Sequence, residues 1–411
     1  MPGAFGHAFF IGSVQIIPLF LIALTKKNIV FKFSLKKGLL FICLIILFCI
    51  SLLNPLNITK TATLIAIYNI LFVVFFAYIV SSLLPYKEIV KGVWDGLCVV
   101  AILELSLAVL YPVLGMTNIP EIFAGTVFES ELRNRANGTF NHPNTMGAFM
   151  SYIFSFFASC AICNYERRKS VYFCCIAFCA IILTLSRSAI LASIATFCFL
   201  YFINKHPSAR FFSFRIFFKF MLPTILFITV IIFFTPLKKY FISMDAEDMI
   251  SARMVHNIFY LNIVVDHPYW GVGLNTGVAH FSEFYDDLVM LVETEDLSFD
   301  FMSTNPVHNI FILLLVDIGI VGLVVFLCFM TNFFIKYKRT LVLNKNTQLM
   351  YNIFPLTAIG CVILVIIHGL SDYTPMAPTN IFLWLFFCLI AYYTRNASRE
   401  VEIAKRKNVT N

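Results

Sequence analysis

The sequence predicts an all-α, polytopic integral membrane protein with about eleven to twelve transmembrane helices and one large loop on the non-cytoplasmic side. Three observations carry this. Of 411 residues, 60% are hydrophobic and 13% charged, against about 25% charged in soluble domains. The apolar residues, 47 phenylalanines among them, stand in long runs, and a helix needs about 20 such residues to cross the hydrocarbon core. The basic residues fall in clusters between those runs, as the positive-inside bias requires. The runs lack the alternating pattern of a membrane β-barrel, and helices satisfy their own backbone in lipid.

In chain order the predicted spans are 8–24, 38–56, 61–84, 93–115, 144–163, 171–186, 188–203, 217–236, 307–334, 349–368 and 378–394. The stretches 25–37, 85–92, 164–170, 204–216, 335–348 and 395–411 hold the basic clusters and alternate along the chain. With Lys219 they account for 23 of the 30 Lys and Arg, so all can lie in the cytoplasm together. The net charge of +8 is then a topology signal and gives no ground for nucleic-acid binding. This threading puts the N-terminus outside and the C-terminus inside. Residues 1–24 lack a basic n-region and an A-x-A site, so a cleaved signal peptide is not expected. The 12 cysteines all lie in apolar runs; Cys160 and Cys163 form a lone CxxC with no second pair at zinc spacing, and they read as small packing residues.

Three regions follow: helices in 1–236, a loop over 237–306, and helices with a basic tail in 307–411. The loop carries 11 of the 22 acidic residues. Its apolar patches (Met254 to Val265, Tyr285 to Val292) predict a small folded cap, and no EF-hand spacing supports a cation site. Met254, Ile258, Leu261 and Val265 recur at helical spacing, so Arg253 is expected to open an amphipathic helix. The GVGLNTG that follows lacks the Lys-Ser/Thr of a nucleotide loop.

Seven cations remain outside the basic clusters: Lys60, Arg133, Arg135, Arg187, Lys238, Lys239 and Arg253. Arg187, in LTLSRSAIL, sits at the tip of a helical hairpin, where it should face water or an anion. Arg133 and Arg135 precede GTFNHPNTMGAF, where Pro143 and Asn144 begin a span, Asn141 is a possible N-cap, and His142 completes a polar helix mouth. His308 and Asn309 open another span. Asp317 lies about 13 Å deeper at 1.5 Å per residue, beside Gly319 and Gly322, which can let another helix approach closely. His368 and Asp372 mark a further non-cytoplasmic helix end. Arginines, histidines and amides on one membrane face suit an anionic, membrane-tethered substrate, because guanidinium grips phosphate oxygens in a fork.

Four patches, RANGTFNHPNTMG (135–147), LTLSRSAIL (183–191), ARMVHNIFYLNIVVDHPYWGVGLNTG (252–277) and NPVHNIFILLLVDIGIVGL (305–323), resemble the O-antigen ligases and their polymerase and oligosaccharyltransferase relatives. The last fits a ligase-type signature of His308-Asn309, nine residues, then Gly319-x-x-Gly322. Relatives usually have about twelve spans with both ends inside; the eleven counted here imply a missing first span or a miscount.

The resemblance implies transfer of a glycan from undecaprenyl diphosphate to the lipid A–core oligosaccharide at the periplasmic face of the bacterial inner membrane. It implies no cofactor, no metal, no nucleotide sugar and no nucleic acid; the partners are donor, acceptor and membrane lipids. By position, Arg187 and Arg253 would hold the donor diphosphate and His308 would engage the acceptor hydroxyl. Arg133, Arg135, Asn141, His142, Asn144, His256, Asn309, His368 and Asp372 are candidate substrate-binding residues. An O-antigen polymerase joining repeat units, a protein O-glycosylating enzyme and a lipid-linked oligosaccharide transporter are the competing readings. The transporter would use Asp317, Asp95 and Glu104 as deep charges.

Overall fold

The computed structural model describes residues 46–47, 49–57, 60–61, 63–64, 67–68, 71, 84–114, 135–136, 138–140, 142–206, 257–274, 276–280, 307–344, 349–370, 393, 399, 402–403 and 406. The expected spans 8–24 and 217–236, nearly all of 378–394 and much of 61–84 lie outside these residues, as do 237–256 and 281–306 of the long loop.

Among the described residues the protein is all-helical, with no strand. Seven α-helices organise it: α1 (Tyr86–Leu114), α2 (Pro143–Ile162), α3 (Arg167–Leu183), α4 (Arg187–Lys205), α5 (Asn257–Asp266), α6 (Ile310–Leu343) and α7 (Ile353–Gly369). A 3₁₀ turn, Leu349–Asn352, leads into α7. Among the described residues five helices are long and apolar enough to cross a membrane: α1, α2, α4, α6, and α7 with its leading turn. The chain is a polytopic membrane protein.

Helix α1 starts at Tyr86, seven residues before the predicted 93, and α6 runs to Leu343, nine beyond the predicted 334. In both cases the added turns carry Lys: Lys87 and Lys91 on α1, Lys336 and Lys338 on α6. Hydropathy stops counting at such residues, whereas the helix continues and its long side chains reach outward.

Helix α2 is the hub, packed on α1, α3, α4 and α7. Its apolar window is 78% buried, as is that of α7, against 22% for α1, so α1 presents most of its surface to lipid. The α2 sequence explains why it can sit inside. Small residues line it, and Ser151 and Ser159 send their hydroxyls to their own helix, at Gly147 O (2.7 Å) and Ser155 O (2.8 Å). Ser193 Oγ of α4 donates to Ser151 Oγ at 2.9 Å, a link worth about 0.6 kcal/mol in a membrane. Gly360 of α7 meets α2 and α4 so closely that a Cβ there would strike Ser155 Oγ and approach Leu200 and Thr196 at 3.2 Å.

At one end of the bundle aromatic rings join α1 to α7. The Tyr86 hydroxyl donates to Met350 O at 3.1 Å, and the Tyr86 ring lies 5.3 Å from Tyr351 and 5.5 Å from Phe354. Trp94 Nε1 donates to Ser170 Oγ of α3 at 3.2 Å. The opposite end carries the polar residues singled out above.

A break in α6 shapes that opposite end. Gly319 lies within the helix at φ 65°, ψ −173°, a conformation essentially restricted to glycine. Residues 268–273 fill the gap: Val272 N donates to Val316 O (2.8 Å), Gly273 N to Asp317 O (3.0 Å), Ile320 N to Pro268 O (2.8 Å) and Val321 N to Tyr269 O (3.4 Å). In an unbroken helix the amides of 320 and 321 would serve the carbonyls of 316 and 317. The loop takes over all four groups, so buried irregular backbone is satisfied by protein, as it must be at membrane depth. Gly271, at φ 64°, is needed because a Cβ would run into Val316 O. The expectation that another helix approaches Gly319 is therefore corrected: a loop backbone approaches it. A Cβ on Gly322 would meet only the Ile318 side chain of its own helix among its nearest neighbours.

The loop is held from its other side by residues 51–63. Asn54 Nδ2 donates to Gly271 O (2.9 Å), Leu274 N to Ser51 Oγ (2.5 Å), Thr63 Oγ1 to Leu274 O (2.8 Å) and Thr276 Oγ1 to Asn57 Oδ1 (3.1 Å). His280 Nε2 donates to Leu56 O at 2.9 Å. Above the break, Phe259, Tyr260 and Ile263 of α5 form a second apolar cluster with Val272, Val307 and Val316. The Ile258, Leu261, Val265 stripe that gave α5 its helical periodicity is its exposed face instead. The buried face is the aromatic one, because α6 offers it a bed of Val316, Ile312 and Leu313.

Candidate functional site

One tight turn and three helix starts lie at the polar end. The connection from α3 to α4 is three residues, with Leu185 at φ 53°. Thr184 makes this turn possible: its Oγ1 donates to Ile181 O (2.7 Å) and accepts from Ser186 N (3.2 Å). Arg187 is consequently the first residue of α4, half-buried, where the helix dipole adds positive potential to the guanidinium. The N-cap Ser186 makes no side-chain cap and lies 3.3 Å from Ser188 Oγ.

The segment before α2 lies across this turn. Ala136 N donates to Leu183 O at 3.0 Å. Arg135 Nε donates to Thr184 O (3.0 Å), and its Nη2 to Asn144 Oδ1 (2.8 Å). Arg135 thus fastens the α3–α4 turn to the start of α2. Next to it, Thr139 donates to the buried Glu104 of α1 through its N (3.0 Å) and its Oγ1 (2.5 Å). Glu104 therefore ties a loop in place. Pro143 sits at the first position of α2, and His142 is the N-cap, its Nδ1 accepting from Asn144 N at 3.1 Å. The cap is thus one residue later than the expected Asn141, since Pro143 fixes the helix start and leaves the preceding residue to cap it.

Helices α6 and α7 bring the remaining groups. Asn309 is the N-cap of α6, its Oδ1 accepting from Phe311 N (2.9 Å) and Ile312 N (3.3 Å). Its Nδ2 donates to Leu370 O at 3.2 Å, joining the start of α6 to the end of α7. His308, half-buried, directly precedes this cap. His368 is fully buried in the last turn of α7. Its level follows from the Gly360 contact with Ser155 and Thr196: eight residues further along α7 is about 12 Å. The same count back along the antiparallel α2 and α4 reaches Gly147 and Ser188. His368 thus stands level with the starts of α2 and α4. Asp317 is buried at the α6 break, where its carbonyl receives the loop amide of Gly273.

Of the residues expected from sequence, the structure gathers Arg135, His142, Asn144, Arg187, His308, Asn309 and His368 at one end of the bundle. Arg133, Asn141, Arg253, His256 and Asp372 lie outside the described residues. Sequence reasoning did not single out Ser51, Asn54, Asn57, Thr63 or Thr139. The available signal was NPLN between two apolar runs: two amides in a membrane-level turn need partners. No cluster of three His, Cys, Asp or Glu able to hold a metal occurs among the described residues.

The family model described as O-antigen ligase matches residues 172–327. That stretch runs from α3 through the α6 break and contains Arg187, the α5 loop, His308, Asn309, Gly319 and Gly322. No curated protein matches the chain. The match supports the family resemblance drawn from the four sequence patches.

Proposed function

We propose that this chain, whose residues 172–327 match the O-antigen ligase family model, is a metal-independent glycosyltransferase of lipopolysaccharide assembly. It moves a glycan from undecaprenyl diphosphate to a lipid A–core hydroxyl at the periplasmic face of the inner membrane. The observation that carries the reading is that Arg187, at the start of α4, and His308 and Asn309, at the start of α6, stand at the same end of the bundle.

The chemistry needs no more than positioning, charge neutralisation and one proton transfer. The acceptor oxygen attacks the anomeric carbon, the bond from that carbon to the diphosphate oxygen breaks, and the diphosphate leaves with the bonding pair. Arg187 and Arg253 stabilise the charge growing on the leaving diphosphate. The N–H groups of the first turn of α4 point the same way. His308 accepts the hydroxyl proton. A single displacement inverts the anomeric centre. Arg135, His142, Asn144 and His368 shape the donor pocket, with Arg135 acting largely by holding the turn that presents Arg187.

An O-antigen polymerase shares the donor and differs only in acceptor, so it is the second reading within the family. Binding and transfer measured separately test the site. Arg187→Ala should lose affinity for the lipid-linked diphosphate. His308→Ala should bind the donor normally and transfer poorly. A His308→Ala protein, correctly inserted, with full transfer would remove the base assignment.

A further inference from the structure

Helix α5 is apolar on two opposite sides. Phe259, Tyr260 and Ile263 are buried against α6 and the loop. On the other side Ile258 is 49% exposed, Leu261 41% and Val265 76%, spaced three and four residues apart along one stripe. A helix apolar all round belongs in an apolar environment on all sides. Tyr269 and Trp270 continue the surface, both exposed, just after the polar boundary of Asp266 and His267.

The position of this surface identifies what it meets. The Tyr269 carbonyl accepts from Val321 N, and the Pro268 carbonyl from Ile320 N. A Cβ on Gly319 would touch Tyr269 and Trp270 backbone. The two aromatic residues are thus seated against α6 where its outward stripe begins: Ile320, Val324 and Leu327, all exposed and spaced four and three apart on a membrane-spanning helix. Exposed Leu53 adjoins from the other side, next to Asn54, which holds Gly271 O. The apolar face of α5 is therefore continuous with the outward apolar stripe of α6, with Tyr269 and Trp270 at the junction.

We propose that α5 and the Tyr269–Trp270 pair form a membrane-inserted element. The Ile258, Leu261, Val265 face lies in the leaflet on the site's side, level with Ile312 to Val316 of α6, and Tyr269 and Trp270 continue it inward beside Gly319. The loop between spans is thereby held on the bilayer surface as well as in the α6 break.

The test uses the full-length protein in nanodiscs and the emission of Trp270, obtained as the difference between wild type and Trp270→Phe. Two quenchers are compared: lipids brominated high on the acyl chain, and aqueous iodide. The proposal predicts that brominated lipid lowers the Trp270 emission about twofold or more, as expected of an interfacial indole, while iodide leaves it nearly unchanged. Strong iodide quenching with no effect of brominated lipid would mean a water-facing loop and overturn the proposal. Protection from both quenchers would mean that protein, a second copy included, covers the face, and would overturn it equally. Val265→Trp in the Trp270→Phe background reports on the same face independently and should likewise be quenched by brominated lipid and spared by iodide.

Discussion

Replacing Gly319 by alanine should uncouple the long loop from the membrane helices. Alanine is strained at φ 65°, ψ −173°, by about 1–3 kcal/mol, and its Cβ would collide with the Tyr269 carbonyl and come within 2.5 Å of Trp270 N. The chain can escape by closing α6 into a regular helix, which restores bonds from 320 and 321 to 316 and 317. That escape strands the loop: the carbonyls of Pro268 and Tyr269 and the amides of Val272 and Gly273 lose their partners. Each stranded group, if it stays buried, costs about 1–3 kcal/mol, part of which rearrangement to water recovers. The net destabilisation should be about 3–5 kcal/mol. Thermal unfolding in nanodiscs measures it, and limited proteolysis within 268–276 reports whether the loop has left the break. Gly92→Ala is the control, since a Cβ there meets nothing within 4 Å; it should be neutral or stabilise by up to about 1 kcal/mol. A Gly319→Ala protein with wild-type stability, protease pattern and transfer activity would refute the account of the break.

Other substitutions separate catalysis from scaffolding. Arg187→Ala should lower transfer about 10²–10³-fold, and Arg187→Lys should recover only part of this because the planar fork is lost; initial rates with lipid-linked donor decide it. His308→Ala should cost about 10²–10⁴-fold in transfer while thermal stability stays near wild type. Asn57→Ala leaves the Thr276 hydroxyl only its long 3.4 Å bond to Leu274 O, and leaves Thr63 and the Ser51 carbonyl without its amide. It should destabilise by about 1–3 kcal/mol, read in the same unfolding assay. Glu104→Gln keeps an acceptor for Thr139 and should be milder than Glu104→Ala, which releases both Thr139 donors; a thermal-shift series tests that order.

Much of the fold was legible in sequence because lipid imposes simple rules. Runs of about 20 apolar residues and alternating basic clusters located α2, α4, α6 and α7 to within a few residues, save that α6 runs on through its Lys-bearing turns. Pro143 announced the start of α2, and the hairpin placed Arg187 at its tip. The parts that were not legible depend on distant segments meeting. Gly319 and Gly322 were visible as a spaced pair, yet a helix-packing rule is local to α6 and says nothing of a loop nearly fifty residues earlier. Gly271 and Gly273, both at positive φ, were the matching half of that contact. The stripe Ile258, Leu261, Val265 gave the period of α5 but not its orientation, because a helix with two apolar faces has no unique inside. The tie from Glu104 to Thr139 was hidden for a similar reason. A carboxylate in a span reads as a transport charge until its partner, thirty-five residues away, is placed beside it.

The most direct test is reconstituted transfer. Purified protein would be mixed with an undecaprenyl-diphosphate glycan, with and without lipid A–core, in the presence of EDTA. The account predicts an inverted glycosidic product that forms only with lipid A–core and survives chelation. Longer lipid-linked glycans formed without the acceptor would contradict ligation and establish polymerisation, and no product from folded protein and a native donor would contradict glycosyl transfer altogether.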